Sequence, residues 1–300
     1  METIVNYMPL VSIILPTYNR AKMLERAIAS IIAQHYTNWE LIIVDNYSVD
    51  KTEEVIAQFN DGRIKVLKIQ NDGSIGKSRN YGIHNASGEW VAFIDSDDWW
   101  LPNKLTVCID ACSDNVDLIY HDLLIAVDGK IKKWKKAKGR LLKSPVINDL
   151  ISKNNAIANS SVMVRRTILE SVGHISEDMN INPSVDYNTW LKVANFTDAF
   201  KYIPKALGVY LIHGGGVSQR DMSISYEYAI LEFIDLLSND ELTNVHRNIN
   251  YMHGRYEYIN KKDTLAECAL KKCLHYHNLK IAVKAVFMLS VIRLRSLTKS

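Results

Sequence analysis

Short apolar runs and amphipathic segments alternate through the first 120 residues of the chain. Continuous apolar runs are typical of buried strands, and apolar residues that recur every three or four positions are typical of helices. The predicted strands are VSIIL (11–15), ELIIV (40–44), IKVLKI (64–69) and WVAFI (90–94). The predicted helices lie between Lys22 and Gln34, after Asp50, from about Lys77 to Ala86, and after Pro102. This order predicts βαβ units and a mainly parallel sheet, which is an α/β fold.

The pattern changes after Asp117. DLIYH (117–121) and LLIAV (123–127) predict strands, and Asp128-Gly129 predicts a hairpin turn into the lysine-rich IKKWKK (131–136). SVMVRR (161–166), a helix around Tyr187 to Ala194, and ALGVYLIH (206–213) complete this region, and helical patterning dominates beyond Asp221. We therefore predict a first domain over residues 1–220, with halves of about 1–105 and 106–220, and a helical region over 221–300.

Charge is distributed unevenly, although the formal net charge is only +3. Residues 130–143 hold eight basic side chains and no acidic one, and residues 261–300 hold nine Lys or Arg against two acidic side chains. Both stretches are candidate surfaces for an anionic partner. Because no nucleic-acid recognition module accompanies them, we do not expect a nucleic-acid partner.

The last forty residues leave two interpretations open. Residues 264–297 predict one or two helices, in which Lys280, Lys284, Arg295 and Lys299 share one side. Such a helix would either lie on an anionic membrane surface or dock on the first domain as a helical layer.

Neither the N-terminus METIVNYMPL nor any apolar run predicts a leader or a membrane span, since a span needs about 20 apolar residues. The four cysteines are too few for a disulfide framework. We expect a cytoplasmic protein, at most peripheral on the inner face of the cytoplasmic membrane.

Polar residues follow three of the predicted strands. Residues 16–20 (PTYNR) follow the first strand, Asp45 follows the second, and Asp95 opens the acidic cluster 95–98 (DSDD). In an open α/β sheet, ligands bind beyond the carboxyl ends of the strands, so these residues predict one crevice. Carboxylates two residues apart can bind a hard divalent cation and ribose hydroxyls together. The cluster alone is equally consistent with an acidic turn that caps the next helix.

Four ordered segments carry a family resemblance: PTYNR (16–20), VDNYSVD (44–50), NDGSIGKSRNYGI (71–83) and SGEWVAFIDSDDWWLP (87–102). In order and spacing they resemble family 2 glycosyltransferases, in particular the small enzymes of bacterial polysaccharide and O-antigen assembly. The resemblance is strong over residues 10–105 and weaker to about 218. It implies the GT-A fold, a Rossmann-like mixed sheet flanked by helices.

The resemblance also implies roles for individual residues. Asp45 would recognise uracil, Arg79 the uridine side, and Asp95 the ribose, although Asn46 and Tyr47 depart from the family's usual Asp-Gly. The implied donor-binding residues are Pro16, Thr17, Tyr18, Arg20, Asp45, Arg79, Asp95 and Ser96. Asp97 and His213 would ligate Mn²⁺ or Mg²⁺, and Trp99 and Trp190 would contact the acceptor.

The segment VDYNTWL (185–191) resembles the family's acidic segment at the start of a helix. The resemblance makes Asp186 the catalytic base, although Val185 and Asn188 replace acidic neighbours. The glycines after His213 suggest a loop that closes on the donor.

The resemblance implies inverting transfer of a hexose from UDP-Glc or UDP-Gal to GlcNAc or GalNAc on undecaprenyl diphosphate, with a β linkage. Two alternatives are a nucleotidyltransferase that makes an NDP-sugar and a non-catalytic protein that binds nucleotide sugars. The first would normally need a glycine-rich phosphate loop after the first strand, and no glycine precedes Gly62.

Overall fold

The computed structural model describes residues 8–214, 216, 220–274 and 279–297, and within them the chain forms one nine-stranded sheet packed against helices. The strands are β1 (Val11–Thr17), β2 (Trp39–Asp45), β3 (Ile64–Lys68), β4 (Trp90–Phe93), β5 (Trp99–Trp100), β6 (Leu118–Val127), β7 (Lys130–Ala137), β8 (Met163–Arg165) and β9 (Phe200–Ile212). The helices are α1 (Ala21–Ile32), α2 (Thr52–Ala57), α3 (Ile75–His84), α4 (Lys104–Ile109), α5 (Val146–Lys153), α6 (Arg166–Ser171), α7 (Val185–Phe196), α8 (Ser223–Ile230), α9 (Asn239–Ile259), α10 (Asp263–Lys271) and α11 (Leu279–Leu297).

The sheet is mixed. Its order is β3-β2-β1-β4-β8-β6-β9-β5, and β7 pairs with β6 outside this path. The first four strands of this order are parallel, whereas β8 is antiparallel to both β4 and β6. The predicted α/β class is therefore confirmed. The parallel strands place their carboxyl ends at one edge, as expected for a ligand crevice.

Alternate side chains of the central strands pack into two separate hydrophobic cores. Ile14 of β1 faces a core that includes α3, while Ile13 and Leu15 face a second core that includes α1. Strand β1 is buried at all seven positions because it is covered on both faces. Successive side chains of a strand point to opposite faces, so one apolar run supplies both layers.

Several predicted boundaries shift. The two strands predicted over 117–127 are one strand, β6, whose register to β9 is interrupted near Asp122. The helix predicted after Pro102 begins at Lys104. The strand predicted over 161–166 is shorter, because a 3₁₀ turn ends at Ser161 and α6 begins at Arg166.

The helices after residue 220 pack in two places. Tyr226, Ile230, Phe233 and Val245 belong to the same core as Ile14, so α8 and the start of α9 complete the main body of the protein. The end of α9 joins α10 and α11 in a separate small core. The domain boundary near 220 stays a prediction.

Helix α11 has two apolar faces. Ala285, Met288 and Ile292 are buried in the small core. On the opposite side lie Val283, Val286, Phe287, Leu294 and Leu297, each more than half exposed. One face of α11 therefore packs on α9 and α10 rather than on the sheet, and the other is open to solvent, so binding to a membrane stays a prediction.

The predicted basic side of the terminal helices is only partly described. Among its members, the Arg295 guanidinium binds Asp263. The Lys280 side chain and Lys299 lie outside the described residues. None of the helices in the described part of the chain combines the length and the apolarity that crossing a membrane requires.

Helix α3 approaches the sheet closely because residue 82 has no side chain. A Cβ atom at Gly82 would lie 2.7 Å from Ile14 Cγ2 and 3.2 Å from Val44 Cγ2. We expect Gly82→Ala to lower the free energy of unfolding by about 1–3 kcal/mol, because α3 must move off strands β1 and β2. Urea denaturation measures this change.

The matched control is Gly62→Ala, because no atom lies within 4 Å of a Cβ built at Gly62. Its effect should stay within about 0.5 kcal/mol. Equal unfolding midpoints for the two variants would contradict the close approach of α3.

Candidate active site

A cavity of about 910 Å³ opens at the carboxyl edge of the parallel strands. This volume is at the upper end of the range of small-molecule sites, about 300–1,000 Å³. Many of the predicted site residues line it: Pro16, Thr17, Tyr18, Arg20, Arg79, Asp95, Ser96, Asp97 and Asp186. The structure therefore brings segments that are up to 170 residues apart in the sequence into one site.

Asp95 is fixed in the cavity by hydrogen bonds at its carboxylate and at its amide. Its Oδ1 accepts hydrogen bonds from Arg79 Nη2 at 2.7 Å and from Asn159 Nδ2 at 2.9 Å. Its backbone amide donates to Ser160 Oγ at 3.1 Å. Arg79 reaches the cavity from α3, whose first turn is capped by the Ser74 side chain. A charged pair with this degree of hydrogen bonding has a fixed geometry.

Asp97 lies beside His213. Its Oδ2 is 2.9 Å from His213 Nε2, and its carbonyl oxygen accepts from Arg26 Nη2 at 3.0 Å. A carboxylate oxygen and an imidazole nitrogen at this separation suit Mn²⁺, which accepts both ligand types. These two residues fit the predicted metal site. When bound, the ion would neutralise charge on a diphosphate.

The floor of the cavity carries polar atoms that no protein group satisfies. Among the described residues, Thr17 Oγ1, Arg79 Nε, Asp98 Oδ2 and His121 Nε2 are buried and lack a hydrogen-bond partner. All four residues line the cavity. Buried polar atoms are nearly always bonded, so this concentration fits a polar ligand.

Burial shifts the pKa values of two of these groups in the direction that favours their neutral forms. Burial, together with the neighbouring charges of Asp97 and Asp95, raises the pKa of Asp98 well above its ordinary value. Burial and the nearby Lys104 charge lower the pKa of His121 to about 3. Because His121 Nδ1 lies 2.8 Å from the Asp122 carbonyl oxygen, the proton is on Nδ1 and Nε2 is an acceptor.

Asp186 enters the cavity at the start of α7. Burial raises the pKa of its carboxyl group to about 6, and the nearby Arg79 charge opposes this rise in part. Its Oδ1 accepts from the Tyr187 amide at 2.8 Å. The next turn of α7 is fixed from the C-terminal region, because the buried Asn188 donates to the Ala229 carbonyl at 3.0 Å.

The structure places the remaining predicted residues next to the cavity wall or behind it. Asp45 is 3% exposed, and its carboxylate accepts from the amide and the hydroxyl of Ser48. Trp99 lies under Arg26, with 3.4 Å between the guanidinium carbon and the ring centroid. In the glycine segment after His213, residues 215 and 217–219 lie outside the described residues.

The position of Trp190 contradicts the prediction that this residue contacts the acceptor. It is 1% exposed and packs in the main core against Phe93, with ring centroids 6.0 Å apart. A side chain on the core face of α7 cannot touch an acceptor in the cavity.

Sequence reasoning missed several residues of the site. Asn159 and Ser160 hold Asp95, and Lys138 and Arg220 line the cavity rim. The signal for the first two was the polar NSS triplet directly before a predicted strand. Nothing in the local sequence ties that triplet to Asp95, since 64 positions separate Asn159 from it.

A second group of metal-ligand types lies between α9 and the segment that precedes α8. The ligand atoms of Asp221, His253 and Glu257 are within 4.8 Å of one another. Asp221 accepts from Ser223 and pairs with His253 at 2.6 Å, and Lys262 Nζ lies 3.4 Å from Glu257. Because protein groups already balance these charges, we assign no metal to this group.

The Arg79–Asp95 pair gives a stability prediction. The Arg79 side chain is 5% exposed and the Asp95 side chain 30%. We expect Arg79→Met to lower the free energy of unfolding by about 2–4 kcal/mol, because a largely buried carboxylate loses its cation. Guanidinium or urea denaturation of the purified variant measures the loss.

Lys77→Met provides the control two positions away, since the Lys77–Asp72 pair has side-chain exposures of 36% and 64%. Its cost should be about 0–1 kcal/mol. If both variants lose the same stability, the Arg79–Asp95 pair does not hold the site together.

Comparisons with known proteins agree with this geometry. The family model "Glycosyl transferase family 2" matches residues 12–173, which is more than half of the chain. A UDP-Glc:alpha-D-GlcNAc-diphosphoundecaprenol beta-1,3-glucosyltransferase, WfgD of Escherichia coli, is 33% identical over 187 residues. That alignment spans 61% of this chain and 69% of WfgD.

Two solved structures share the fold. The mannosyltransferase PcManGT from Pyrobaculum calidifontis, in complex with GDP-Man and Mn²⁺, has a TM-score of 0.61 at 18% identity, over 95% of this chain and 81% of that one. TarS 1-349 of S. aureus, in complex with UDP-GlcNAc, has a TM-score of 0.57 at 17% identity, over 97% of this chain and 92% of that one. The chain therefore belongs to glycosyl transferase family 2, and it is a glycosyltransferase with the GT-A fold.

Proposed function

We propose that the protein transfers a hexose from a UDP-sugar to a hydroxyl of a sugar on a lipid diphosphate, with inversion at the anomeric carbon, in the synthesis of a surface polysaccharide. The observation that carries the proposal is one cavity lined by Asp95, Asp97 and Asp186, with His213 against Asp97. The first two serve the donor and the metal, and Asp186 serves the acceptor.

The donor end of the cavity suits a nucleotide. Thr17 ends β1 and Tyr18 follows it, and Asp45 lies at the end of the neighbouring β2. Asp95 is held by Arg79 and Asn159 at Oδ1, so ribose hydroxyls would meet a fixed acceptor. The names of WfgD and the TarS complex mention UDP-Glc and UDP-GlcNAc, respectively. We favour UDP-Glc or UDP-Gal as the donor.

Asp97 and His213 would hold the divalent ion, Mn²⁺ or Mg²⁺. The ion supplies charge neutralisation to the departing UDP. Arg26 binds the Asp97 carbonyl and stacks on Trp99, so the acidic segment between β4 and β5 keeps its shape.

Asp186 would remove the acceptor proton. Its raised pKa of about 6 leaves it ionised at neutral pH yet basic enough to accept a proton. As the acceptor oxygen bonds to the anomeric carbon, the bond from that carbon to the diphosphate oxygen breaks and the hydroxyl proton passes to Asp186. Two other carboxylates are bound elsewhere, since Glu177 accepts from Asn80, and Asp198, beyond the opposite end of α7, accepts from the Val146 amide.

Two observations support the proposed acceptor: the name of the relative WfgD and the exposed apolar face of α11. WfgD is named for an undecaprenyl-diphosphate acceptor, which resides in a membrane. The outer apolar face of α11, flanked by the exposed Lys284 and Arg293, suits the surface of an anionic leaflet. We therefore place the enzyme on the inner face of the cytoplasmic membrane, with GlcNAc or GalNAc as the acceptor sugar. The nucleotidyltransferase and non-catalytic alternatives are not retained, because the matched family is one of glycosyltransferases.

The function is tested by UDP release. Purified protein is supplied with UDP-Glc, UDP-Gal, UDP-GlcNAc or UDP-GalNAc, a synthetic diphosphate-lipid acceptor, and Mn²⁺, Mg²⁺ or EDTA. We expect acceptor-dependent release with one of these donors and a loss of at least about 10²-fold in EDTA, because the diphosphate would lose its counter-charge. Undiminished release without divalent metal would refute the metal role.

Two isosteric variants separate the proposed roles. Asp186→Asn cannot accept a proton at neutral pH, so kcat should fall by about 10²–10⁴ while UDP affinity is retained. Asp97→Asn should instead weaken UDP binding in the presence of Mn²⁺. Isothermal titration with UDP and initial rates distinguish the two, and a folded Asp186→Asn protein with near-normal turnover would remove Asp186 from the mechanism.

The raised pKa of Asp186 predicts a pH profile. Between pH 5 and pH 7, kcat/KM should rise about tenfold, because the base must be ionised to work and its pKa is about 6.

An independent check uses stability. A carboxyl group whose pKa is raised on folding stabilises the protein at low pH, and this contribution is lost as the pH rises through the folded value. The free energy of unfolding of Asp186→Asn relative to wild type should therefore increase by about 1–3 kcal/mol between pH 4 and pH 8. A pH-independent difference would show that Asp186 is not perturbed.

A further inference from the structure

The β6–β7 hairpin carries an irregularity that the proposed function does not explain. The pairing steps from Leu124–Lys136 to Ile125–Lys132, so residues 133–135 of β7 have no partner on β6. Trp134, in the middle of these three residues, is 86% exposed. A bulge re-aims side chains away from the sheet, and here it presents a tryptophan to solvent. An exposed tryptophan has a large apolar ring with one polar N–H, which suits a boundary between water and an apolar phase.

The same ribbon is strongly basic. Residues 130–143 include eight basic residues and no acidic residue. Lys130, Lys135, Lys136 and Lys138 are exposed, and none of them forms an ion pair with the described residues. Arg140, by contrast, is bound to Asp149. The exposed lysines therefore keep their charge available for an anionic partner.

The ribbon is attached firmly to the active site. Ala137, Lys138 and Gly139 at its end line the cavity. The Gly139 amide donates to Asp122 at 3.0 Å, and a Cβ there would lie 2.7 Å from the Tyr202 ring. That ring stacks on Tyr120 with centroids 5.2 Å apart. The end of the ribbon is therefore fixed beside the cavity, and Trp134 lies five positions before Gly139.

We propose that the β6–β7 hairpin is a docking site for an anionic membrane surface. It inserts Trp134 into the headgroup region, binds lipid phosphates through the flanking lysines, and sets the cavity mouth at the bilayer. The proposal rests on the proposed function in one respect, since a lipid-linked acceptor gives the docking its purpose. Tryptophan prefers the membrane interface, and lysine stems extend along apolar surface while the ammonium group stays at the phosphates.

Other occupants fit less well. A second copy of this chain bound through the same face would bring two lysine-rich ribbons together, and like charges repel. A nucleic acid would use the charge, but binding single-stranded bases calls for several stacking aromatics, and the only aromatic residue of β7 is Trp134. A membrane uses both the charge and the single tryptophan.

Vesicle flotation tests the proposal with the full chain. Vesicles of phosphatidylcholine alone are compared with vesicles that also contain phosphatidylglycerol. We expect wild type to bind the anionic vesicles, and Lys135→Ala/Lys136→Ala to bind them roughly tenfold to thirtyfold more weakly, because each lysine near the surface contributes to attraction. Trp134→Ala should lose several-fold in binding, and added salt should weaken the wild type toward the level of the lysine variant.

Matched controls separate docking from general charge and from stability. Lys22→Ala/Lys51→Ala removes two exposed lysines on the α1–α2 side, and Phe196→Ala removes an aromatic side chain that is 58% exposed. Both should bind like wild type. Thermal melting should show that the hairpin variants remain folded, which is expected because their side chains are exposed.

The outcomes divide clearly. Hairpin variants that bind anionic vesicles as well as the wild type would overturn the proposal and leave α11 as the membrane element. Binding to duplex or single-stranded nucleic acid without binding to vesicles would also overturn it.

Vesicle binding needs no turnover, so it is independent of the proposed reaction. With a short, water-soluble acceptor the hairpin variants should keep wild-type rates, and with acceptor in vesicles they should lose rate in parallel with binding.

Discussion

The carboxylate of Asp95 is the point on which the site depends. Two separate parts of the chain bind this one residue: Arg79 from α3 at its carboxylate, and the 3₁₀ turn through Asn159 at the same oxygen and Ser160 at the backbone amide. Arg79 is buried, so its charge requires a carboxylate, and the packing of α3 on β1 sets where that charge lies. Helix α3 and the 3₁₀ turn that precedes β8 are thereby held together. These contacts also constrain the positions of Asp97 and Asp98, since both residues follow Asp95 on the same turn.

The first half of the fold was predictable because its signals are local. Strands β1, β2 and β4 are continuous apolar runs buried on both faces, and polar residues follow directly at their ends. Because the carboxyl ends of parallel strands meet at one edge of a sheet, these signals were enough to predict that Thr17, Asp45 and Asp95 lie together. The second half was less predictable, since its strands are mixed in direction. Nothing in the sequence around Asn159 or Lys138 indicates that those segments return to the same cavity, because these approaches depend on tertiary packing.

In α7 and α11 the sequence did not determine which surroundings each side of the helix faces. The resemblance implied a role for Trp190 at the acceptor, but α7 is buried along most of its length, so the sequence of α7 does not distinguish its cavity side from its core side. In α11 the sequence left two interpretations open because apolar residues occupy opposite sides of the helix. The structure explains this: one side supplies Ala285, Met288 and Ile292 to the small core, and Phe287 and Leu294 remain on the other.

The shared core between the sheet and the helices beyond residue 220 bears on how the protein is made. Ile14 and Val245 belong to the same cluster, and Asn188 in the helix of the proposed base is bonded to Ala229. A nascent chain therefore cannot complete its main core, or fix α7, until most of its length has left the ribosome. Until then, the apolar surface that receives α8 stays uncovered, and such surface promotes aggregation. Synthesis next to a membrane or a chaperone would shelter it during that interval.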